Sequence, residues 1–414
     1  MPERTPRILF CSHLQVTKTI GTTKVFSEIA EGMERRGWDV TLQGPEQLRS
    51  GMPNPGKLFD WYGKALRDYL AKHASEFDVV EYDHSYLPYP RDEFAAETLM
   101  VARSVLLVHH LLKIRIPCGP TLHQRLGSIV RKPVERSRHR RWLAAAHRTV
   151  QQADLVNVAN EHDRRELIEW GIDSSKIVVI PYGIGWDRRP MFEAVSEASP
   201  EQPRVAFVGT FDYRKGAREM HRIFTRIVEA VPKARFKLLG TAGMFQTVEQ
   251  VLSHFPESLH LRIQVVPRFA PEDLPFLLSD CSVGIFPSRL EGFGIGVLEM
   301  LAAAVPVIAY NAPGPPEMLP PEHLVTSGDA WALGDKVIQL LSEPSRLAQA
   351  RRAARIRSRA FDWADIALTT SNCYSQALQA RRAALQGATV NIPPAIAFTK
   401  RQNAYSLTNA ATEK

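Results

Sequence analysis

Two glutamates, Glu291 and Glu299, lie on either side of a glycine-rich turn that leads into an apolar segment, residues 297–304. A turn of this kind before a helix leaves backbone N–H groups directed along the positive end of the helix, where they bind anions such as phosphate. Carboxylates there would repel phosphate, so we expect them to accept hydrogen bonds from hydroxyl groups. A turn that serves both phosphates and hydroxyls predicts a site for a nucleotide sugar.

Short apolar segments alternate with amphipathic ones along the 414 residues, which predicts an α/β architecture with parallel sheets. The first strand is expected at 7–11, and another at 104–110, ending on His109 and His110. The pattern restarts at residue 204, after a stretch rich in Pro, Ser and Glu. We therefore predict a first Rossmann-like domain at 1–190, a linker at 191–203, a second Rossmann-like domain at 204–363, a helix at 364–386 that returns to the first domain, and a polar, loosely ordered tail at 387–414.

The net charge of +8 is concentrated in one region. Between residues 101 and 150, Glu135 alone opposes a series of Lys and Arg residues. The segment from Arg125 to Arg148 is either a solvated helix face or a surface for an anionic partner, which could be a membrane surface, a nucleic acid or an acidic substrate. Pro133 predicts an interruption, so we do not expect this segment to be one continuous amphipathic helix.

Several classes of protein do not fit the sequence. The four cysteines are scattered without a Cys-x-x-Cys pair, which indicates reduced thiols and no structural zinc. Neither a signal peptide nor an apolar run of about 20 residues is found, so we expect a cytoplasmic protein, peripheral at the inner face of the membrane if the basic segment binds there. Ser12-His13-Leu14-Gln15 after the first strand argues against a nicotinamide-dependent oxidoreductase. The basic segment lacks interleaved aromatics, so no nucleic acid is expected as a partner.

The chain resembles the retaining glycosyltransferases of family four, whose GT-B fold has two Rossmann-like domains facing across a deep cleft. The segment from Glu291 to Glu299 matches that family's two glutamates separated by seven residues, with Gly-Phe-Gly after the first. Residues 207–209, followed by 214–216, resemble the phosphate-binding segment of its second domain. Residues 176–183 and 313–317 are similar to its Pro-x-Gly segment and to a glycine-plus-glutamate turn.

The resemblance implies a role for each matching residue. Catalysis would involve His110, Lys215 and Glu291, with His110 (or its neighbour His109) as the cleft histidine and Glu291 holding a hydroxyl of the transferred sugar. Donor binding would involve Gly21, Arg214, Lys215, Glu291, Gly292, Phe293, Gly294 and Glu299, with Lys215 on the diphosphate and Glu299 on the ribose hydroxyls. Asp83 and His84 follow a strand, where they contact an acceptor or cap their loop.

Two positions depart from the family pattern. Thr210 stands where the family has an arginine that binds phosphate, so Arg214 would supply that charge; otherwise the chain is a relative that binds nucleotide without transferring sugar. The first-domain turn has one glycine, Gly21, where the family has two.

The expected chemistry is front-face transfer from a nucleoside-diphosphate sugar, with the departing phosphate taking the acceptor's proton. No Asp-x-Asp is present, so we predict neither a metal nor another cofactor. Fixed cations and helix-end N–H groups would stabilise the charge on the leaving phosphate. The base (UDP, GDP or ADP) stays open, as does the choice among a glycan, a lipid-linked acceptor and a small molecule.

Overall fold

A computed structural model of the chain describes residues 4–15, 21–48, 58–113 and 122–387, without the side chains of 21–23, 58–60, 112 and 122–136. The described residues form two compact units. The first unit comprises those up to residue 182 together with 363–387, and the second comprises 183–362. Residue 387 apart, the predicted C-terminal tail lies outside the described residues.

The described part of the first unit is built on a parallel sheet of six strands, in the order β2-β1-β3-β4-β5-β6. The strands are β1 (Arg7–Cys11), β2 (Asp39–Gln43), β3 (Val79–Asp83), β4 (Leu99–Arg103), β5 (Leu155–Val158) and β6 (Ile177–Val179). Every residue of β3, β4 and β5 is buried. Burial on both faces explains why these strands lack the apolar–polar alternation of a half-exposed sheet.

Helices cover this sheet. They are α1 (Gly21–Glu34), α2 (Pro45–Leu48), α3 (Leu58–His73), α4 (Leu122–Gln152) and α5 (Glu161–Glu169). Asn160 begins α5, because its side-chain oxygen accepts a hydrogen bond from the backbone N–H of Asp163. The described residues include no helix long and apolar enough to cross a membrane.

Two predictions for this region are wrong. Residues 104–110 do not form a strand; β4 ends at Arg103, and His109 and His110 lie in a 3₁₀ helix, Val108–Leu112. The apolar residues that suggested a strand here include Leu107 and Val108, which are buried in that turn. Helix α4 also continues through Pro133. A proline removes only its own N–H bond, and a long helix can bend at that point and continue.

The described part of the second unit has its own parallel six-stranded sheet, in the order β12-β11-β10-β7-β8-β9. Its strands are β7 (Arg204–Val208), β8 (Arg235–Leu239), β9 (Ile263–Val266), β10 (Val283–Phe286), β11 (Val307–Tyr310) and β12 (Leu324–Val325). Its helices are α6 (Arg189–Glu193), α7 (Met220–Ala230), α8 (Val248–Leu252), α9 (Glu257–His260), α10 (Leu274–Leu278), α11 (Ile295–Ala302), α12 (Ala330–Ser342) and α13 (Pro344–Ser358).

The segment before β7 is fixed by arginines of α13. Arg351 donates to the backbone oxygens of residues 196 and 197, and Arg355 donates to those of 193 and 195. Arg359, directly after α13, pairs with the carboxylate of Glu193. The basic run of this helix therefore binds residues 193–197 to the second unit.

The last helix, α14 (Trp363–Leu385), packs within the first unit. The Tyr374 hydroxyl donates to the Glu81 carboxylate and accepts a 2.8 Å hydrogen bond from Asn157. Arg103 pairs with Glu81 through two nitrogens. These four side chains are buried and hydrogen-bonded in one network, which fixes α14 against the middle of the first sheet.

Candidate functional site

Three segments meet at the carboxyl edge of the second sheet, where parallel α/β sheets bind their ligands. They are the turns after the adjacent strands β7 and β10 and the turn after β11. A Cβ at Gly216 would lie 2.4 Å from the backbone oxygen of Pro287, and one at Gly314 would lie 2.5 Å from that of Phe293. Glycine is therefore required for these backbones to approach so closely.

The turn after β10 ends at Gly294, which precedes α11 in a left-handed conformation with φ of +91°. Glycine adopts this φ without the strain that a side chain would add. The chain reverses here, so that Glu291, Gly292 and Phe293 lie before the positive end of α11. The sequence prediction of a glycine-rich turn leading into a helix is confirmed, with the helix over Ile295–Ala302.

Glu291 is the centre of a charged cluster. Its Oε1 lies 2.9 Å from Nζ of Lys215 and 2.9 Å from Nη1 of Arg214, and it accepts a 2.7 Å hydrogen bond from the Ser288 hydroxyl. Burial disfavours the charged form, but the two cations and the hydroxyl outweigh it and lower the pKa of Glu291 to about 2. Glu291 is therefore ionised at neutral pH.

The loop after β7 positions both cations. Asp212 accepts hydrogen bonds from the backbone N–H of Lys215 and from the hydroxyl of Thr210. The Lys215 ammonium also lies 5.3 Å from the ring centroid of Phe286, at the end of β10. Thr210, which stands where the family has an arginine, thus helps to shape the loop that presents Lys215.

Glu299 lies on α11 and pairs with a residue that the sequence analysis did not single out. Nη1 of Arg188 donates a 2.7 Å hydrogen bond to Oε1 of Glu299. Arg188 is buried, just before α6. The two residues are 111 positions apart, so no local motif links them.

The charged side chains around Glu291 balance one another, so the positive potential that favours an anion comes from the start of α11. Lys215 and Arg214 pair with Glu291, and Nη2 of Arg214 also lies 3.9 Å from Oδ2 of Asp212, while Arg188 pairs with Glu299. Backbone N–H groups at the start of α11 add positive potential. The site can therefore accept a diphosphate near Lys215 and hydroxyl groups near the two glutamates.

In the first unit, His110 lies between two carboxylates of α5. Its Nε2 is 2.9 Å from Oδ1 of Asp163, and its Nδ1 is 3.7 Å from Oε2 of Glu166. Glu166 also pairs with Lys113 at 2.5 Å. Burial raises the pKa of the Asp163 carboxyl, although the hydrogen bond and charge of His110 oppose the rise. These contacts fix the orientation of the His110 ring, and no motif in the sequence predicts them.

His109 has different surroundings. Its ring packs edge-on against Trp170 at 5.1 Å between centroids, and its Nε2 is 3.5 Å from Nδ1 of His147. Burial, followed by the nearby histidines, lowers the pKa of His109 to about 3, so it is neutral at physiological pH.

Asp83 and His84 lie at the carboxyl end of β3. Asp83 accepts hydrogen bonds from the backbone N–H and the hydroxyl of Ser85, and so caps its turn. His13, after β1, is 3.5 Å from the Asp83 carboxylate and stacks on Tyr86 at 4.7 Å. Nε2 of His84 accepts from the backbone N–H of Val108.

Gly21 is the first residue of α1, and the turn before it lies outside the described residues. The structure thus brings Arg214, Lys215 and the residues 291–294 together in the second unit, and places the histidines and Asp83 along the carboxyl edge of the first sheet. Over the described ranges, no group of three or more His, Cys, Asp or Glu side chains is arranged to hold a metal ion.

Comparison with known proteins identifies the family. The sequence model described as Glycosyltransferase Family 4 matches residues 20–188, and the one described as Glycosyl transferases group 1 matches residues 189–357. Together they cover most of the chain and both of its units. The chain belongs to glycosyltransferase family four.

Similar proteins with assigned names are transferases. O-antigen chain mannosyltransferase B of Escherichia coli is 25% identical over 240 residues, covering 55% of this chain and 62% of that protein. A D-inositol 3-phosphate glycosyltransferase of Kineococcus radiotolerans is 29% identical over 267 residues, covering 56% of this chain and 60% of that protein. The chain thus spans about three fifths of the length of these relatives.

Solved structures share the architecture. Sucrose-phosphate synthase of Thermosynechococcus elongatus has a TM-score of 0.69 at 19% identity, over 91% of this chain and all of that one. HepE of Anabaena, in complex with UDP-glucose, has a TM-score of 0.64 at 17% identity, over 89% of this chain and 99% of its own. At such low identities the similarity shows the fold alone, which is GT-B with two Rossmann-like domains.

Proposed function

We propose that this protein is a retaining glycosyltransferase that moves a sugar from a nucleoside-diphosphate sugar to a hydroxyl group of an acceptor. The observation that carries the proposal is the cluster of Lys215 and Arg214 on Glu291, beside the start of α11. It offers cations and helix-end N–H groups for a diphosphate together with a carboxylate for a sugar hydroxyl. The names of the relatives and the UDP-glucose complex of HepE support this donor class.

The cluster is suited to stabilising a leaving nucleoside diphosphate. As the bond between C1 of the sugar and the phosphate oxygen breaks, negative charge builds up on the phosphate and positive charge on the sugar ring. Lys215 and Arg214 would stabilise the phosphate charge, and Glu291 would hold a hydroxyl of the sugar. Contacts that strengthen as charge develops lower the activation barrier. Contacts that bind the ground state and the transition state equally well do not.

Retention follows from attack on the face that the phosphate leaves. The acceptor oxygen bonds to C1 on that face while its proton passes to the departing phosphate oxygen. The step therefore needs no carboxylate nucleophile and no metal ion. His110, held by Asp163, would orient the acceptor, with Asp83 and His84 as further acceptor contacts in the first unit.

A thermal-shift and turnover screen tests the proposal. Wild-type protein and a Lys215→Ala variant are incubated with UDP, GDP, ADP and their common sugar conjugates, with and without EDTA. We expect one nucleotide series to raise the melting temperature of the wild type alone, unaffected by EDTA. Product NMR with that donor should show the donor's anomeric configuration. If no nucleotide stabilises the wild type, the transferase assignment is wrong.

An anionic membrane surface is the partner we propose for α4, with a lipid-linked acceptor for the reaction. Arg138, Arg140, Arg141 and Arg148 are exposed on the described part of this helix, whereas Leu143 is buried. Exposed cations on one helix bind anionic headgroups at about 1 kcal/mol each. This arrangement would place the enzyme at the inner face of the cytoplasmic membrane.

Co-sedimentation with vesicles tests the membrane contact. Vesicles containing phosphatidylserine should retain the wild type at low salt and release it at high salt. A variant with Gln at Arg138, Arg140 and Arg141 should bind far less. The control changes three exposed cations of the second unit, Arg222, Lys233 and Arg352, to Gln. Equal binding by the two triple variants would exclude α4 as the membrane surface.

A further inference from the structure

Arg188 is fixed on both its backbone and its side chain. Its backbone N–H donates to the oxygen of Gly185, and its own backbone oxygen accepts from Phe192. The guanidinium lies 5.9 Å from the ring centroid of Phe192 and donates to Glu299 at 2.7 Å. The residue is only 2% exposed. A long side chain immobilised in this way gives Glu299 one defined position.

Glu299 is largely buried, with 11% of its side chain exposed. A carboxylate so deeply buried is costly unless a cation compensates it, and Arg188 provides that charge. Arginine has donors but no acceptor, so Glu299 is the member of the pair that can receive a hydrogen bond from a hydroxyl. An ionised carboxylate can accept about four hydrogen bonds, so the bond from Arg188 does not exclude one from a ligand.

The neutral total charge of the pair also matters for the ligand. Glu299 lies on the same helix whose start we assign to the donor's diphosphate. An uncompensated carboxylate there would repel the phosphates, whereas a carboxylate neutralised by Arg188 would not. The pair can therefore recognise hydroxyl groups next to a diphosphate without weakening its binding.

We propose that Arg188 is a positioning residue that holds Glu299 as a fixed acceptor for the ribose hydroxyls of the nucleotide. It thereby makes the site select ribonucleotides over 2′-deoxyribonucleotides. This inference rests on the proposed function, because it requires a nucleotide in the second unit. The contact of Glu299 with ribose is the one that the family resemblance implies, and the inference adds Arg188, a residue outside the glutamate motif, as the group that positions it.

Isothermal titration calorimetry with matched nucleotides tests the inference. UDP, GDP and ADP are each compared with the 2′-deoxy form. The Kd of the deoxy form divided by the Kd of the ribonucleotide measures selection for ribose. For the nucleotide that binds, we expect a wild-type ratio on the order of ten, since a hydrogen bond to a charged group has roughly that effect. Arg188→Met and Glu299→Gln should each bring the ratio close to one, and Arg188→Lys should restore part of it.

The adjacent arginine is the matched control. Arg189 pairs with Asp362 at 3.1 Å and donates to the backbone oxygen of Phe361. Neither of these bonds involves Glu299. Arg189→Met should leave the ratio at its wild-type value. Removing Arg188 alone takes a cation from a buried carboxylate, which destabilises the fold, so the double variant Arg188→Met/Glu299→Gln removes both charges. It should fold, and its ratio should match that of either single variant, close to one.

The outcomes are distinguishable. If the wild type binds none of the ribonucleotides, the proposed function fails and this inference fails with it. If the wild type binds a ribonucleotide but its ratio is one, or if the ratio persists in Arg188→Met or in the double variant, Arg188 does not position a ribose acceptor. The proposed function would stand in that second case.

Discussion

Nζ of Lys215 lies 2.9 Å from Oε1 of Glu291, and Arg214 donates to the same oxygen. Both cations have further N–H donors, so a diphosphate that binds here would share them with Glu291. A cation drawn towards the phosphate leaves more of the acceptor capacity of Glu291 for a sugar hydroxyl. The cluster thus couples recognition of the diphosphate to recognition of the sugar.

Replacing Lys215 by alanine should weaken binding of the nucleoside diphosphate by about 10- to 100-fold, because one charge-assisted hydrogen bond to phosphate is lost. Titration calorimetry with the nucleotide that stabilises the wild type measures this change. Lys233 is exposed on the same unit, and Lys233→Ala is the control, with unchanged affinity. Equal affinities for the two variants would show that Lys215 does not contact the diphosphate.

Glu291 should stabilise the fold in a pH-dependent way. Its pKa in the folded protein, about 2, is below the usual 4.5, so its contribution is complete above about pH 4.5 and is lost as the pH falls towards 2. The free energy of unfolding of the wild type should exceed that of Glu291→Gln by on the order of 3 kcal/mol near neutral pH. Urea denaturation at pH 7, 4 and 3 should show the difference shrinking. The control is Glu272→Gln, at an exposed position, for which little difference is expected. If the difference in free energy of unfolding between the wild type and Glu291→Gln did not change with pH, the pKa of Glu291 would not be lowered in the folded protein.

His110 and His109 should respond differently to alanine. His110→Ala should lower kcat by at least tenfold and leave nucleotide affinity intact, because the histidine serves the acceptor rather than the donor. His109→Ala should mainly lower the melting temperature, since it opens a cavity beside Trp170 and His147. Steady-state kinetics and thermal melts on both variants distinguish these outcomes. Normal turnover by His110→Ala would remove this histidine from the mechanism.

Gly216 should tolerate a methyl group less well than Gly171. Both have positive φ, +83° and +85°, so alanine is strained at either position. Only at Gly216 does a Cβ meet another atom, the Pro287 backbone oxygen at 2.4 Å, whereas nothing lies within 4 Å at Gly171. Gly171→Ala should cost about 1 kcal/mol of stability. Gly216→Ala should cost more and also weaken nucleotide binding, as calorimetry and thermal melts would show. Similar effects of the two substitutions would mean that the backbones of Gly216 and Pro287 can move apart without loss of stability or of nucleotide binding.

Local patterns in the sequence predict much of this structure. The turn before α11, the Lys215 loop and the alternation of strands and helices depend on residues close together along the chain, so spacing reveals them. Arg188 and Asp163 are different, because each acts on a residue far away in sequence, 111 and 53 positions respectively. Such pairs become visible only when packing brings them together.

Strand β4 shows a second limit of prediction from a single sequence. It contains Arg103, a charged residue that an apolar pattern assigns to the surface, although here it is buried. Its charge is compensated by Glu81 on the neighbouring strand, and a single sequence does not reveal that pairing. Residues 99–102 and 105–108 are both runs of four apolar residues, but the first is followed directly by a charge, so the sequence favours the second, which forms no strand.

The buried network of Glu81, Arg103, Asn157 and Tyr374 has a consequence for the order of events on the ribosome. Tyr374 is synthesised 293 residues after Glu81, and the whole second unit emerges between them. Until α14 leaves the exit tunnel, the buried side chains of the first sheet lack the Tyr374 hydroxyl. A buried polar group without its hydrogen-bond partner destabilises the fold. The second unit, a contiguous stretch of chain, can fold first, so the half of the protein that is translated earlier is the half that is finished later.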